Sequence, residues 1–209
     1  FRAADSGAVE EEVVVCEQGV LASAWRPASA ELQQQLAQLG VELPAGIESE
    51  LNLRLAAWVA ALSDLLEKGA LLLIDYGYSR SGYYHAQHGS GTLLCHYRQR
   101  AHGDPFYYPG IQDITSHVDF TAVAEAADEA ELRVAGYTTQ ASFLLNGGIE
   151  RLLQAGGAAQ DAVWFQQTTE LKRLLLPTEM GERFKVMALT RGIEGSLLGF
   201  ATNNRLEQL

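Results

Sequence analysis

The chain has 209 residues, of which 47% are apolar and 20% charged, and a formal charge of −11. That length fits one domain, or a domain with a small appendage, and can bury a sizeable core, and that composition excludes an intrinsically disordered chain. The negative balance excludes nonspecific binding to nucleic acid or to anionic membrane, because both select for clustered Lys and Arg.

Cys16 and Cys95 form neither a CxxC pair nor a disulfide framework, which suits a reducing cytoplasm. No apolar run approaches the roughly 20 residues of a membrane span, and no charged-then-apolar leader opens the chain. A soluble, cytoplasmic protein is expected. The chain opens on Phe1 without an initiator Met, which suggests a processed or truncated piece.

In chain order, Asp5-Ser6-Gly7 reads as a turn, Val13–Val15 as a strand, Gln18-Gly19 as a second turn and Val20–Trp25 as a second strand, making a small hairpin. Glu10, Glu11 and Glu12 read as a solvated edge. Leu32, Leu36 and Leu39 fall at helical spacing, and the stretch from Gly40 through Pro44 to Gly46 closes that helix. A longer helix is expected from Ser49 to Lys68, capped by Ser49 and ended by Gly69, with Leu51, Leu55, Trp58, Val59, Leu62, Leu65 and Leu66 on one face.

It feeds the stretch around which the chain is organised, Gly69-Ala70-Leu71-Leu72-Leu73-Ile74-Asp75-Tyr76-Gly77. Its unbroken aliphatic run reads as a strand buried on both faces in a parallel sheet. Ligands sit at the carboxyl ends of such strands, which would turn Asp75 and Tyr76 toward a site. A core strand whose Asp caps the next turn is the alternative, and spacing leaves both open.

Residues 79–109 are rich in Gly, His, Tyr and Arg, lack periodicity and read as a long loop. Phe120, Val123, Ala127 and Ala130 mark a helix, Leu132–Tyr137 a strand, and Gln140–Gly147 a short helix. Residues 158–175 form a helix with Trp164, Phe165, Leu171 and Leu175 inward, and Phe184–Arg191 is the last strand. The expected organisation is a hairpin-and-helix excursion over 1–48, core αβ units over 49–140, a helical insertion over 141–180, and a last strand with its tail over 181–209.

His85, His88, His96 and His102 crowd the 79–109 loop beside Cys95, but only His85 and His88 have ligand spacing, so no metal site is assigned. Gly89-Ser90-Gly91 lies outside any strand-to-helix turn and cradles no phosphate. Thr115, Ser116, His117 and Asp119 lie where a loop enters a helix. They serve either as caps or as groups at the mouth of the site beside Asp75. No G-x-S-x-G elbow supports serine hydrolase chemistry.

Four ordered segments carry a family resemblance: Ile74–Gly77; Pro109–Phe120; Thr139–Leu144 with Gly148-Ile149; and Met180–Met187. Together they resemble the S-adenosylmethionine-dependent methyltransferases of the MidA group, whose mitochondrial member is an assembly factor of respiratory complex I. The resemblance covers about residues 48–190. It implies the carboxyl-terminal half of a class I methyltransferase, a Rossmann-like α/β fold with a small β-hairpin and a helical insertion. The glycine-rich loop and the acidic residue that hold S-adenosylmethionine in that family are expected upstream of Phe1, so the piece alone is expected to be inactive.

The mitochondrial member forms symmetric dimethylarginine on a complex I subunit, so the resemblance implies a protein substrate, an arginine-bearing subunit of a respiratory complex. The sheet edge left open admits a homodimer. Methyl transfer to a guanidinium nitrogen is an in-line displacement that depends on positioning. Asp75 would hold the guanidinium and His117 or Asp119 would accept its proton. Tyr76, Gly77, Asp113, Thr115, Gln140 and Phe143 are the substrate-binding candidates. The tyrosines Tyr83, Tyr84, Tyr97, Tyr107 and Tyr108 serve either as a lid or as anchors of the loop. A noncatalytic module that keeps the fold and holds a basic partner, and an α/β enzyme using another cofactor, are the competing readings.

Overall fold

The computed structural model describes residues 1–4, 6–155 and 162–209. In chain order its strands and helices are β1 (Arg2–Ala3), β2 (Val9–Glu17), β3 (Val20–Pro27), α1 (Ala30–Gln38), α2 (Leu55–Asp64), β4 (Gly69–Tyr78), α3 (Arg80–Tyr83), β5 (Leu94–Tyr97) and β6 (Arg100–His102). They continue with β7 (Asp113–Thr115), β8 (Val118–Asp119), α4 (Phe120–Glu129), β9 (Arg133–Thr139), α5 (Gln140–Asn146), α6 (Ile149–Ala155), α7 (Ala162–Leu175) and β10 (Phe184–Arg191). Two compact units result: Phe1–Arg54 with Arg80–His117, and Leu55–Ser79 with Val118–Leu209. No helix among the described residues is long and apolar enough to cross a membrane.

In the first unit, β1, β2 and β3 form an antiparallel sheet in that order. The Gln18-Gly19 turn takes left-handed backbone at both residues, the geometry whose twist matches a tight hairpin, so the expected hairpin forms. Of the expected Asp5-Ser6-Gly7 turn, Asp5 lies outside the described residues. Of the glutamate run, Glu10 lies opposite β1, which pairs with β2 at Val9 and Glu10. Glu10 pairs with Arg2, and Glu11 with Arg26 and Ser29. The Arg26 hydrogen bond holds the Glu11 carboxyl below its ordinary pKa. Helix α1 is capped by Ser29, and its Leu32 and Leu36 are buried, as expected from their spacing.

The expected helix from Ser49 begins only at Leu55, for reasons of tertiary structure. Asn52 Oδ1 accepts the Arg54 amide, a local turn that competes with helix. The Glu50 carboxylate meanwhile accepts the amides of Thr92 and Leu93, the Thr92 hydroxyl and the Tyr83 hydroxyl. The 79–109 segment is not irregular, since β5, β6 and β7 form an antiparallel sheet in the order β6-β5-β7. Arg98 and Gln99, both left-handed, make its tight turn and disguise the strands in sequence.

In the second unit the sheet order is β8-β4-β10-β9. Strand β10 runs antiparallel between β4 and β9, whereas β8 runs parallel to β4 at Gly77 and Tyr78. The sheet is therefore mixed rather than all parallel. Leu71 and Leu73 of β4 and Met187 and Leu189 of β10 pack against Val59 of α2 and against Phe120, Val123 and Ala127 of α4. On the opposite face Val186 and Ala188 are covered by Phe143 and Phe200. Leu72 and Ile74, on that same face, are 47% and 49% exposed. Among the described residues the organising strand is thus covered on one face, not both. In α7 Phe165 points outward, contrary to its helical spacing, and residues 158–161 of that expected helix lie outside the described residues.

The stretch after Gly192 braces the sheet. Tyr137 donates its amide to Asn204 Oδ1 and accepts the Arg205 amide, while the Thr138 hydroxyl donates to the Asn203 carbonyl. These bonds occupy the outer edge of β9, which would otherwise stay open.

Candidate active site

Three strand ends meet at one end of the second unit's sheet. The carboxyl ends of β4, β8 and β9 lie there, with the amino end of β10 between β4 and β9. The register sets Asp75, Lys185 and Thr139 in a row across neighbouring strands. Cross-strand partners point to one face, so this row carries an anion, a cation and a hydroxyl side by side.

Asp75 is exposed, and its Oδ1 accepts the amide of Tyr76 at 2.8 Å. The strand end therefore does present a carboxylate. Tyr76 packs edge-on against Phe184, with ring centroids 5.3 Å apart. Gly77 is glycine because β8 comes in close, and a Cβ there would stand 2.1 Å from the Val118 carbonyl oxygen. That space is filled by backbone, so Gly77 forms no cradle for a ligand.

Asp119 occupies the cap of α4, where its Oδ1 accepts the amides of Thr121 and Ala122 at 3.0 and 3.1 Å. Gln140 is buried and donates to the Leu174 carbonyl, tying α5 to α7. Phe143 packs edge-on against Phe200, with ring centroids 5.4 Å apart. These contacts tie Gln140 and Phe143 into the packing around α5.

Lys185 is the group that sequence reasoning passed over. Its ammonium donates to the Glu182 carbonyl and stands 5.9 Å from the centre of the Tyr78 ring. Burial lowers its pKa, and the neighbouring Glu182 partly opposes that. A cation at the head of the otherwise apolar stretch Val186–Leu189 was the available signal, since Lys is rarely buried without a reason.

The remaining candidates belong to the first unit. Asp113 and Thr115 lie on β7, Asp113 opposite His96 and Thr115 donating its hydroxyl to the Leu94 carbonyl. The His117 amide donates to Thr92 Oγ1, and that hydroxyl donates to Glu50, which fixes the backbone entering β8's neighbourhood in sequence. Tyr83 and Tyr84 are buried against one another, and both hydroxyls donate to Glu50, which makes this pair anchors. Among the described residues no group of His, Cys, Asp or Glu could hold a metal ion.

Residues 1–138 match the family described as "Putative S-adenosyl-L-methionine-dependent methyltransferase". Two crystal structures from Burkholderia thailandensis, of one superfamily, are similar over the whole chain. One, of an uncharacterised protein in native form, is 39% identical with a TM-score of 0.92. The other, inferred to be a methyltransferase and bound to S-adenosyl-homocysteine, is 41% identical with a TM-score of 0.92. The chain spans 56% and 54% of their respective lengths. No curated protein matches. The mixed α/β arrangement described above is accordingly a class I methyltransferase-like fold.

Proposed function

The chain belongs to a family of S-adenosyl-L-methionine-dependent methyltransferases, and from that premise we propose that it is the part of a MidA-type enzyme that receives a protein arginine and positions it for methylation. The observation that carries this reading is the exposed Asp75 carboxylate at the ligand end of the sheet. A carboxylate there can accept two parallel hydrogen bonds from a guanidinium and hold its charge away from the attacking nitrogen. Tyr76 walls the same strand end, and His117 or Asp119 takes the proton that nitrogen loses. The cofactor supplies an electrophilic methyl group. No described strand-to-helix turn offers it a glycine cradle, because Gly77 is filled by Val118, so the residues here are assigned to the acceptor alone. The protein partner fits an acidic chain with a net charge of −11, which favours basic substrates over nucleic acid.

The test is methyl transfer by the full-length protein from labelled cofactor to arginine-containing peptides, with acceptor residues identified by mass spectrometry. Asp75→Asn should lower turnover by roughly a hundredfold while leaving folding intact, since the side chain is exposed. Turnover within a few fold of the parent would remove Asp75 from the site. Labelled lysine instead of arginine would correct the substrate, and failure of the full-length protein to bind the cofactor would favour a noncatalytic module.

A further inference from the structure

The first unit contains a cavity of about 710 Å³ that none of the residues assigned to methyl transfer lines. Tyr97, Arg98, Arg100, His102, Asp104 and Tyr107 line it. In a chain of strongly negative charge it carries a local excess of cations, with two guanidiniums against one carboxylate. That carboxylate is already engaged, because Asp104 Oδ1 accepts the Phe106 amide at 2.8 Å.

His102 adds a donor. Its Nδ1 accepts the Asp104 amide at 3.3 Å, so in the neutral ring the proton resides on Nε2. That Nε2 is buried without a hydrogen-bond partner among the described residues. An unpartnered buried donor is costly, and a small turn of the ring toward the cavity that His102 lines would let a ligand acceptor satisfy it. The Tyr97 and Tyr107 rings, 6.2 Å apart, add flat apolar faces, and Arg98 lies 5.4 Å from the Tyr97 ring centre. The backbone supplies a third element, since among the described residues β6 is an edge strand whose outer side has no neighbour in its sheet. An extended segment can add to such an edge, with pockets reading its side chains.

We propose that this cavity is a docking site for an extended acidic segment of a protein partner, a Glu or Asp beside an aromatic residue, which pairs with the β6 edge and sets its carboxylate among Arg98, Arg100 and His102. A free oxyanion would use the cations but leave the tyrosine faces and the strand edge idle. A long polyanion is disfavoured by the net charge of the chain. The site stands apart from the acceptor role of Asp75 and does not depend on it.

The probes are a short capped peptide with Glu-Tyr-Glu at its centre, its Gln-Tyr-Gln counterpart and inorganic phosphate, each titrated into the full-length protein. Binding is read by calorimetry and by the His102 ring signals in NMR. The acidic peptide should bind and move the His102 signals, with affinity roughly tenfold or more weaker for the Gln counterpart and in Arg98→Gly/Arg100→Gln. Arg98→Gly suits the left-handed backbone at that position, where φ is 47°, so it removes the guanidinium without straining the turn. If the double variant does not fold, Arg98→Gly alone is read. Still His102 signals, equal affinity for the Gln counterpart, or unchanged binding in the folded variant would overturn the proposal. Phosphate binding as tightly as the peptide would overturn it in favour of a small oxyanion site.

Discussion

Arg191, at the end of β10, donates to the backbone carbonyl of Ser63 at 2.9 Å, across 128 positions of sequence. The same guanidinium reaches the carbonyls of Leu66 and Ala130 at 3.0 and 2.8 Å and the Ser63 hydroxyl. Helix α2 has no basic residue in its own last turn, so this strand residue supplies the cation and donors that its carboxyl end lacks. Arg191→Met should therefore cost about 2–4 kcal/mol in urea unfolding, because several carbonyls lose their donor together. Ser63→Ala should cost only about 1 kcal/mol. A loss below that for Arg191→Met would mean that water replaces the guanidinium.

Gly77 and Gly103 separate close approach from mere glycine. A Cβ at Gly77 would collide with the Val118 backbone, whereas at Gly103 it meets nothing within 4 Å. Gly77→Ala should cost roughly 3 kcal/mol or more by splitting β8 from β4, and Gly103→Ala should fall within about 0.5 kcal/mol of the parent. Matched thermal unfolding of the two variants checks the difference. Similar effects at both positions would deny the close pairing.

Asp119 and His117 can be told apart by uncoupling the cap from the chemistry. Serine caps as aspartate does, so Asp119→Ser should keep both stability and turnover within a few tenths of a kcal/mol and a few fold, while Asp119→Ala loses about 1 kcal/mol. Turnover should then depend on His117, with His117→Ala lowering it by roughly a hundredfold. A hundredfold loss in a stable Asp119→Ser would give the proton acceptor role to Asp119 instead.

Much of the second unit was legible because its signals are local. Phe120, Val123 and Ala127 repeat at helical spacing behind an Asp that caps, and Phe184–Arg191 is apolar enough to be read to the residue. Where reading failed, distant groups decided. Nothing near Ser49 announces that Glu50 will collect amides from residues 42 and 43 positions away, and that contact keeps 49–54 out of the helix. The β5–β6 hairpin hid behind Arg98-Gln99, residues that do not advertise a left-handed turn. In β4 the aliphatic run records residue preference on both faces, but only the face bearing Leu71 and Leu73 meets core among the described residues. Asp75 was legible because a charge closing such a run is conspicuous. Lys185 was not, because nothing local announces that its ammonium will turn back onto the Glu182 carbonyl.

Tyr137 makes the stability of the second unit sensitive to alkali. Its ring is buried against Phe120, with centroids 5.2 Å apart, and burial raises the phenol pKa well above its ordinary value of 10.0, with Asp119 adding to the rise and Arg205 opposing it. Above about pH 10 the unfolded chain releases this proton while the folded chain keeps it, so the folded state binds one more proton and stability falls as pH rises. The slope is about 1.4 kcal/mol per pH unit above that point, and below it the contribution is fully present. Lys185, whose pKa is lowered by burial, acts in the opposite sense: the unfolded chain holds its proton longer, so stability rises with pH up to about its ordinary 10.5. Unfolding by urea at a series of pH values from 8 to about 11 should show the two effects in sequence. Tyr137→Phe should remove the alkaline fall, and Lys185→Met the rise that precedes it. A parent and a Tyr137→Phe variant that lose stability in parallel above pH 10 would show that the phenol ionises as freely in the folded chain as in the unfolded one.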